Sequence, residues 1–259
     1  MTDQQSATLL HRSTATLSAT PLHCSTAPPH WLLLDFDNCQ MATEHLAIPS
    51  LVARFNRLYG DKISHLLTYE EFREHFHAQG REVLCASLSK HFGIEVDYPT
   101  LYEGREWYIM QHLQQTGVEM APHLIETLSL LENQRYKFAF VSNNPIQRAL
   151  AAMRYATNGE GDRLAHFFGT AFFEAGDVQK PNPDVYLRAM EQLGTSPQNC
   201  FAIEDSILGA RAAISAGVRT FGFLGFTEDA QDMATKLLAE GALACFHDWE
   251  ELPALISQT

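Results

Sequence analysis

No CxxC pair occurs in this sequence, and its five cysteines (Cys24, Cys39, Cys85, Cys200 and Cys245) are scattered and odd in number. That pattern argues against a disulfide framework and suits free thiols in a reducing cytosol. The histidines are dispersed too. His75 and His77, two apart, cannot share a helix face, so zinc is not expected. Positive charge is scarce: 18 Lys and Arg stand against 31 Asp and Glu, for a formal net charge of −13. Without a basic cluster no nucleic-acid partner is expected, and an anionic substrate needs locally concentrated cations. No apolar run approaches the roughly 20 residues of a membrane helix, so no membrane partner is expected either. Residues 1–29, rich in Ser, Thr and Ala with Pro21, Pro28 and Pro29, lack the continuous apolar stretch of a secretory signal and hold a single Arg. They read as a flexible leader on a cytoplasmic protein, expected to act as a monomer or weak homodimer.

What the sequence does have is a core. It is 46% hydrophobic and 19% charged over 259 residues, which suits one large or two modest globular domains. The stretch Trp31-Leu32-Leu33-Leu34-Asp35-Phe36-Asp37 runs four large apolar residues into two carboxylates. A short continuous apolar run predicts a strand buried on both faces, with Asp35 and Asp37 on one side at its carboxyl end. Open parallel α/β sheets bind ligands at that rim. Two like charges held there need a cation or a proton.

The pattern then changes twice. From Ile48 to about Thr116, apolar residues recur at helical spacing (Leu51, Phe55 and Leu58; Val83, Leu84 and Leu88), punctuated by Gly60, Gly80, Gly93 and Pro99, which predicts four or five helices. From Ala121 helices and strands alternate: a helix over Pro122–Leu131, strands Phe138–Val141, Ala171–Glu174, Cys200–Ile203, Val218–Phe223 and Ala242–Phe246, and helices from Pro145 and over Pro183–Leu193, Ile207–Ala216 and Asp229–Glu240. This predicts a doubly wound parallel sheet. The 107 residues from Asp35 to Ser142 far exceed the roughly 30 of a plain strand-helix-strand unit, so an inserted α-helical domain is expected beside the Asp pair. The expected division is 1–29 leader, 30–44 and 119–259 α/β core, and 45–118 helical cap.

Other strand ends bring polar groups to the same rim. Ser142-Asn143-Asn144-Pro145 offers a hydroxyl and free N–H groups, with Asn144 as an N-cap and Pro145 at the first helical position. In Lys180-Pro181-Asn182-Pro183 the prolines stiffen the approach to a helix start. Glu204-Asp205 at an apolar strand end is costly without a cation, and Mg²⁺ takes oxygen ligands of this kind. Asn38 suits a left-handed turn after the Asp pair.

These ordered motifs, Asp35-Phe36-Asp37, the strand into Ser142-Asn143, Lys180-Pro181-Asn182-Pro183 and Glu204-Asp205-Ser206-Ile207-Leu208-Gly209, resemble the haloacid dehalogenase superfamily, in the β-phosphoglucomutase and small-molecule phosphatase subgroup with a helical cap. The resemblance implies an HAD-like Rossmannoid core and a Mg²⁺-dependent phosphatase acting on a small phosphorylated metabolite such as a sugar phosphate. Asp35 would attack phosphorus and form an aspartyl-phosphate, and Asp37 would serve as acid and base. Ser142, Asn143 and Lys180 would bind the phosphoryl group, with Lys180 counted in the catalytic set. Mg²⁺ would be held by Asp35, the Asp37 carbonyl, Glu204 and Asp205. Gly80 and Arg81 resemble the subgroup's cap substrate loop. Asn38-Cys39 departs from the usual Gly followed by Thr or Val. A phosphomutase of the β-phosphoglucomutase kind and a non-catalytic binding protein are the alternatives.

Overall fold

The apolar run Trp31–Leu34 is strand β1, and it lies at the centre of a six-stranded parallel sheet. The computed structural model describes residues 30–76 and 79–259. The leader expectation and His77 therefore lie outside the described residues. The other strands are β2 (Lys137–Ser142), β3 (Phe172–Glu174), β4 (Cys200–Glu204), β5 (Arg219–Phe223) and β6 (Cys245–Phe246), in the order β3-β2-β1-β4-β5-β6. β1 is flanked by β2 and β4, with Leu34 opposite Phe140 on one side and Ile203 on the other. Strand order reverses about β1, so the crevice at its carboxyl end opens between diverging connections.

Alternation along β1 divides its side chains between two cores. Leu32 and Leu34 pack with Phe36, Phe140, Phe201 and Phe223 on one face of the sheet. Leu33 packs with Ala139, Val141, Val185 and Tyr186 on the other. All three leucines are completely buried. The fold class expected from the strand and helix alternation is present, and the strands carry near-continuous apolar runs because both faces are covered.

Between β1 and β2 run helices α1 (Glu44–Tyr59), α2 (Tyr69–His75), α3 (Arg81–Phe92), α4 (Tyr98–Tyr102) and α5 (Arg105–Thr116). Ile48, Leu51, Phe55, Phe72, Leu88 and Leu101 form an apolar cluster of their own there. Ile109 and Leu113 of α5 belong instead to the main core, as does Leu46 of α1. The inserted helices thus stand on the sheet through their first and last members. α6 (Leu124–Asn133) then leads to β2.

The remaining helices are α7 (Ile146–Arg154), α8 (Gly161–Phe168), α9 (Asp184–Leu193), α10 (Ile207–Ser215), α11 (Ala230–Glu240) and α12 (Leu252–Ser257). The sequence reading has no helix at α8 or α12, although Leu164, Phe167 and Phe168 of α8 do stand at helical spacing; α12 spans only six residues, too few for periodicity to register. Gly217, at φ 80°, turns the chain out of α10 into β5. The α7 start needs a correction. Pro145 occupies the cap position and not the first helical one, and Asn144 makes no cap bond: its side-chain NH2 donates to Asp37, and the Ile146 N–H is met by Glu174 Oε2. Among the described residues no helix is long and apolar enough to cross a membrane.

Candidate active site at the carboxyl edge of the sheet

The backbone beyond β1 is tied down before any side chain enters the site. The Asp35 N–H donates to the Ile203 carbonyl at 3.0 Å, and the Gln40 amide donates to the Asp35 carbonyl at 2.7 Å. The N–H groups of Cys39, Gln40 and Met41 all point at the Phe36 carbonyl, closing a tight turn. Asn38 takes φ 54° within it, the left-handed conformation its sequence position called for, and its Oδ1 accepts from the Glu44 N–H at 3.0 Å. Cys39 is fully buried with its thiol pushed well above the usual range by burial and by Asp35, so it acts as a small core residue.

The two aspartates face different partners. Asp35 Oδ1 accepts from the Lys180 ammonium at 2.6 Å. Its carboxyl is pushed up to about 8 by burial, with Glu204 and Asp37 adding to the rise and Lys180 opposing it. Asp37 accepts from Thr43 Oγ1 at 2.6 Å and from the Asn144 amide at 2.6 Å, with Ser142 Oγ at 3.5 Å and an Arg148 nitrogen at 3.9 Å. Burial alone would raise the Asp37 carboxyl; Arg148, Thr43, Asn144 and Arg105 outweigh it and hold the group below its usual range.

Lys180 lies at the bottom of the site. Its Nζ donates to Asp35 at 2.6 Å, to Glu204 Oε1 at 2.6 Å and to the Val141 carbonyl at 2.9 Å. Burial works against its charge, but Asp35 and Glu204 prevail and keep the ammonium protonated. Three acceptors use its three protons, so contact with a phosphoryl oxygen requires one of them to be given up. The Lys180–Pro181 peptide is cis. Asn143 holds this loop: its Oδ1 accepts from the Lys180 N–H at 2.8 Å. The Asn143 side chain is thus committed to the Lys180 loop.

Glu204, with no solvent exposure, also accepts from the Tyr186 hydroxyl through Oε1. Its Oε2 is buried and has no hydrogen-bond partner. Asp205 is raised well above the usual carboxylate range by burial, then by Asp35, Glu44 and Glu204. Ligand oxygens of Asp35, Glu204 and Asp205 all lie within 4.8 Å of one another. An all-oxygen set with an orphaned buried oxygen and excess negative charge fits a hard divalent cation such as Mg²⁺. The Asp37 side chain is not in this group, so its share in metal binding would be through its carbonyl. A cavity of about 590 Å³ reaches the rim at Asn38 and Asp205, walled by His45, Tyr69 and Arg73 from the inserted helices.

Arg81 stands at the start of α3, its guanidinium 5.8 Å from the Tyr98 ring centroid and 5.9 Å from that of Tyr102, on the inserted side of the cleft. The structure thus brings Asp35, Asp37, Ser142, Lys180, Glu204 and Asp205 together, with Arg81 further out. Sequence reasoning missed Thr43, Tyr186, Arg105 and Arg148. Only Arg148 left a signal: it shares the apolar stripe of α7 with Ala152, where a charge is out of place.

The description haloacid dehalogenase-like hydrolase matches the chain over residues 8–217. The chain is 25% identical over 228 residues to a phosphorylated carbohydrates phosphatase of Thermotoga maritima, covering 86% of this chain and 97% of that one. It is 25% identical over 115 residues to the 6-phosphogluconate phosphatase of Escherichia coli, covering 44% of this chain and 45% of that one. Its fold resembles Rhodobacter sphaeroides CbbY in complex with xylulose-(1,5)bisphosphate, with TM-score 0.68 and 20% identity over 87% of this chain and 96% of that one. The chain belongs to the haloacid dehalogenase-like hydrolases, and it is a phosphoric monoester hydrolase.

Proposed function

We propose that this hydrolase is a Mg²⁺-dependent phosphatase of a small phosphorylated metabolite, a sugar phosphate or close relative, that works through an aspartyl-phosphate on Asp35. One observation carries the reading: the carboxylates of Asp35, Glu204 and Asp205 share a space small enough for one cation, with Lys180 bonded to two of them. The name of the Thermotoga relative supports a phosphorylated carbohydrate as substrate. The buried or half-buried free thiols Cys39, Cys85, Cys200 and Cys245 support a cytoplasmic setting. Residues 45–118 would act as a cap over the site.

Asp35, Glu204 and Asp205, with the Asp37 carbonyl, would hold Mg²⁺, which supplies charge neutralisation for the phosphoryl oxygens. The Asp35 carboxylate oxygen attacks phosphorus as the ester P–O bond breaks, and the leaving oxygen takes a proton from Asp37. Its neighbours hold Asp37 below the usual carboxylate range; the negative charge of an arriving phosphate raises its proton affinity and fits it for that step. A water then attacks the aspartyl-phosphate, gives its proton to Asp37, and releases phosphate with the Asp35 carboxylate restored. Lys180 and Ser142 steady the phosphoryl group throughout.

The test is phosphate release from a panel of phosphorylated sugars, with and without added Mg²⁺. Release that needs Mg²⁺ and is abolished by Asp35→Asn, with the circular dichroism spectrum kept, is expected. No release from any substrate, or undiminished turnover by Asp35→Asn, overturns the reading. Isomer formation without phosphate release would mean a phosphomutase.

A further inference from the structure

Away from the rim, three side chains of the inserted segment turn their polar atoms to one point. Glu71 sits in the first turn of α2, His91 in the last turn of α3, and His65 in the chain that leads into α2. Both imidazole Nε2 atoms lie 3.0 Å from the same carboxylate oxygen, Glu71 Oε1. One ligand atom from each of the three lies within 4.8 Å of the other two. A tetrahedral zinc ion with bonds of about 2.0–2.1 Å spaces its ligand atoms about 3.3 Å apart, so the trio already stands close to that geometry. The rings are held in place. His65 packs on Phe92 and His91 on Phe76, each with ring centroids 5.3 Å apart. Ser64 Oγ stands 3.1 Å from His65 Nδ1, so a ring with its proton on Nδ1 can donate there and turn the Nε2 lone pair to a metal. Asn56 of α1 pins the same stretch of chain, exchanging two hydrogen bonds of 2.9 and 2.8 Å with the Leu67 backbone.

A plain hydrogen-bond cluster accounts less well for this arrangement. A carboxylate offers two oxygens, and two ring N–H donors are best placed on one each; here both crowd Oε1. The donor set also decides the class of ion. Two imidazoles and a carboxylate suit Zn²⁺, whereas the all-oxygen group of Asp35, Glu204 and Asp205 suits Mg²⁺. We propose that His65, Glu71 and His91 form a second metal site, for a divalent ion of the zinc class, that ties the chain before α2, α2 itself and α3 together, with water completing the coordination. None of the three lines the cavity at the rim, so the ion stands apart from the chemistry at Asp35. Its reach toward the cavity is through α2, which also carries the wall residues Tyr69 and Arg73; Arg73 forms an ion pair with Glu228 of the core. His75 and His77 have no zinc spacing in the sequence. His65, Glu71 and His91, successively 6 and 20 residues apart, meet only through the fold. Another surface trio, His123, Asp248 and Glu250, has a single imidazole, and its Asp248 is already engaged by the Glu250 N–H.

Calorimetric titration of the full chain with Zn²⁺, with Mg²⁺ in excess, tests the site without turnover. His65→Gln and His91→Gln should each weaken Zn²⁺ binding by about 100-fold or more, since losing a ligand outright costs more than the roughly 10–100-fold of losing a supporting partner. Both positions are exposed, and an unchanged circular dichroism spectrum shows that the variants fold. His123→Gln should leave Zn²⁺ affinity unchanged. Hydrogen exchange then locates the ion: Zn²⁺ should slow amide exchange in α2 and at the end of α3 of the unaltered protein, and not in His91→Gln. Zn²⁺ affinity that survives both His65→Gln and His91→Gln overturns the site. So does affinity that falls with His123→Gln instead, or protection confined to the strand ends around Asp35.

Discussion

Gly209 packs against the carboxylate of Glu204 so closely that no side chain fits between them: a Cβ there would stand 2.6 Å from Oε1 and nearer still to Oε2. Glu204 ends β4, and Gly209 lies in the first turns of α10, whose cap Ser206 accepts from the Gly209 N–H at 3.1 Å. A buried glutamate is thus given its place by a missing methyl group.

Gly209→Ala would push the Glu204 carboxylate out of the acid cluster while leaving α10 a better helix former. Metal affinity should fall on the order of 10–100-fold, as when a ligand loses its support. The check is thermal unfolding against Mg²⁺ concentration: the unaltered protein gains stability with Mg²⁺, and the variant gains it only at higher concentration. An unchanged Mg²⁺ response would show that Glu204 takes no part.

Lys180→Met leaves Asp35 and Glu204 buried without their cation. Breaking a buried pair in this way costs ~3–5 kcal/mol, so the urea midpoint should drop sharply, and turnover with it. Lowering the pH should recover part of the stability, because the stranded carboxyls can then protonate. A midpoint within error of the unaltered protein refutes the ammonium's structural role.

Thr43→Val, close in shape, removes the 2.6 Å bond to Asp37 Oδ1. That bond favours the ionised carboxyl, so its loss raises the Asp37 pKa. The acidic limb of the kcat profile, set by the need for ionised Asp37 in the hydrolytic half, should move to higher pH. A limb that stays in place assigns it to another group.

His123 Nδ1 meets both oxygens of Asp248 at 2.8 Å, linking the start of α6 to the chain before α12. The hydrogen bond to Asp248, reinforced by its charge, raises the His123 pKa. A cation favoured in the folded state stabilises fully below its unfolded pKa of about 6.5, and that contribution is lost as pH rises through the folded value. His123→Asn, which tolerates the φ of 55° at this position, should lower the denaturation midpoint at pH 5 and leave it nearly unchanged at pH 9. A gap of equal size at both pH values contradicts the ion pair.

The site was legible in the sequence where chemistry and strand ends coincide. Asp35, Asp37, Ser142, Lys180, Glu204 and Asp205 all follow or end stretches whose composition marks strands or stiff loops, so their order along the chain already placed them on one rim. Thr43, Tyr186 and Arg105 carry no such mark. A threonine in a loop, a tyrosine on an apolar helix face and an arginine at a helix start are ordinary residues until folding sets them against Asp37, Glu204 and Tyr102. Asn144 shows the same limit from the other side: its spacing before α7 suits a cap, yet its side-chain NH2 donates to Asp37, and the first N–H of α7, that of Ile146, finds its acceptor in Glu174 Oε2.

By itself the sequence determined the alternation of strands and helices, the burial of β1 on both faces and the carboxylates at its end, because each depends on local pattern: apolar runs, period and turn chemistry. Tertiary structure alone decided which acid pairs with the ammonium, which oxygen is left without a partner, and which arginines gather beside Asp37. Those outcomes depend on distances between separate segments of the chain, from the 24 residues between Lys180 and Glu204 to the 145 between Asp35 and Lys180, and only packing fixes them.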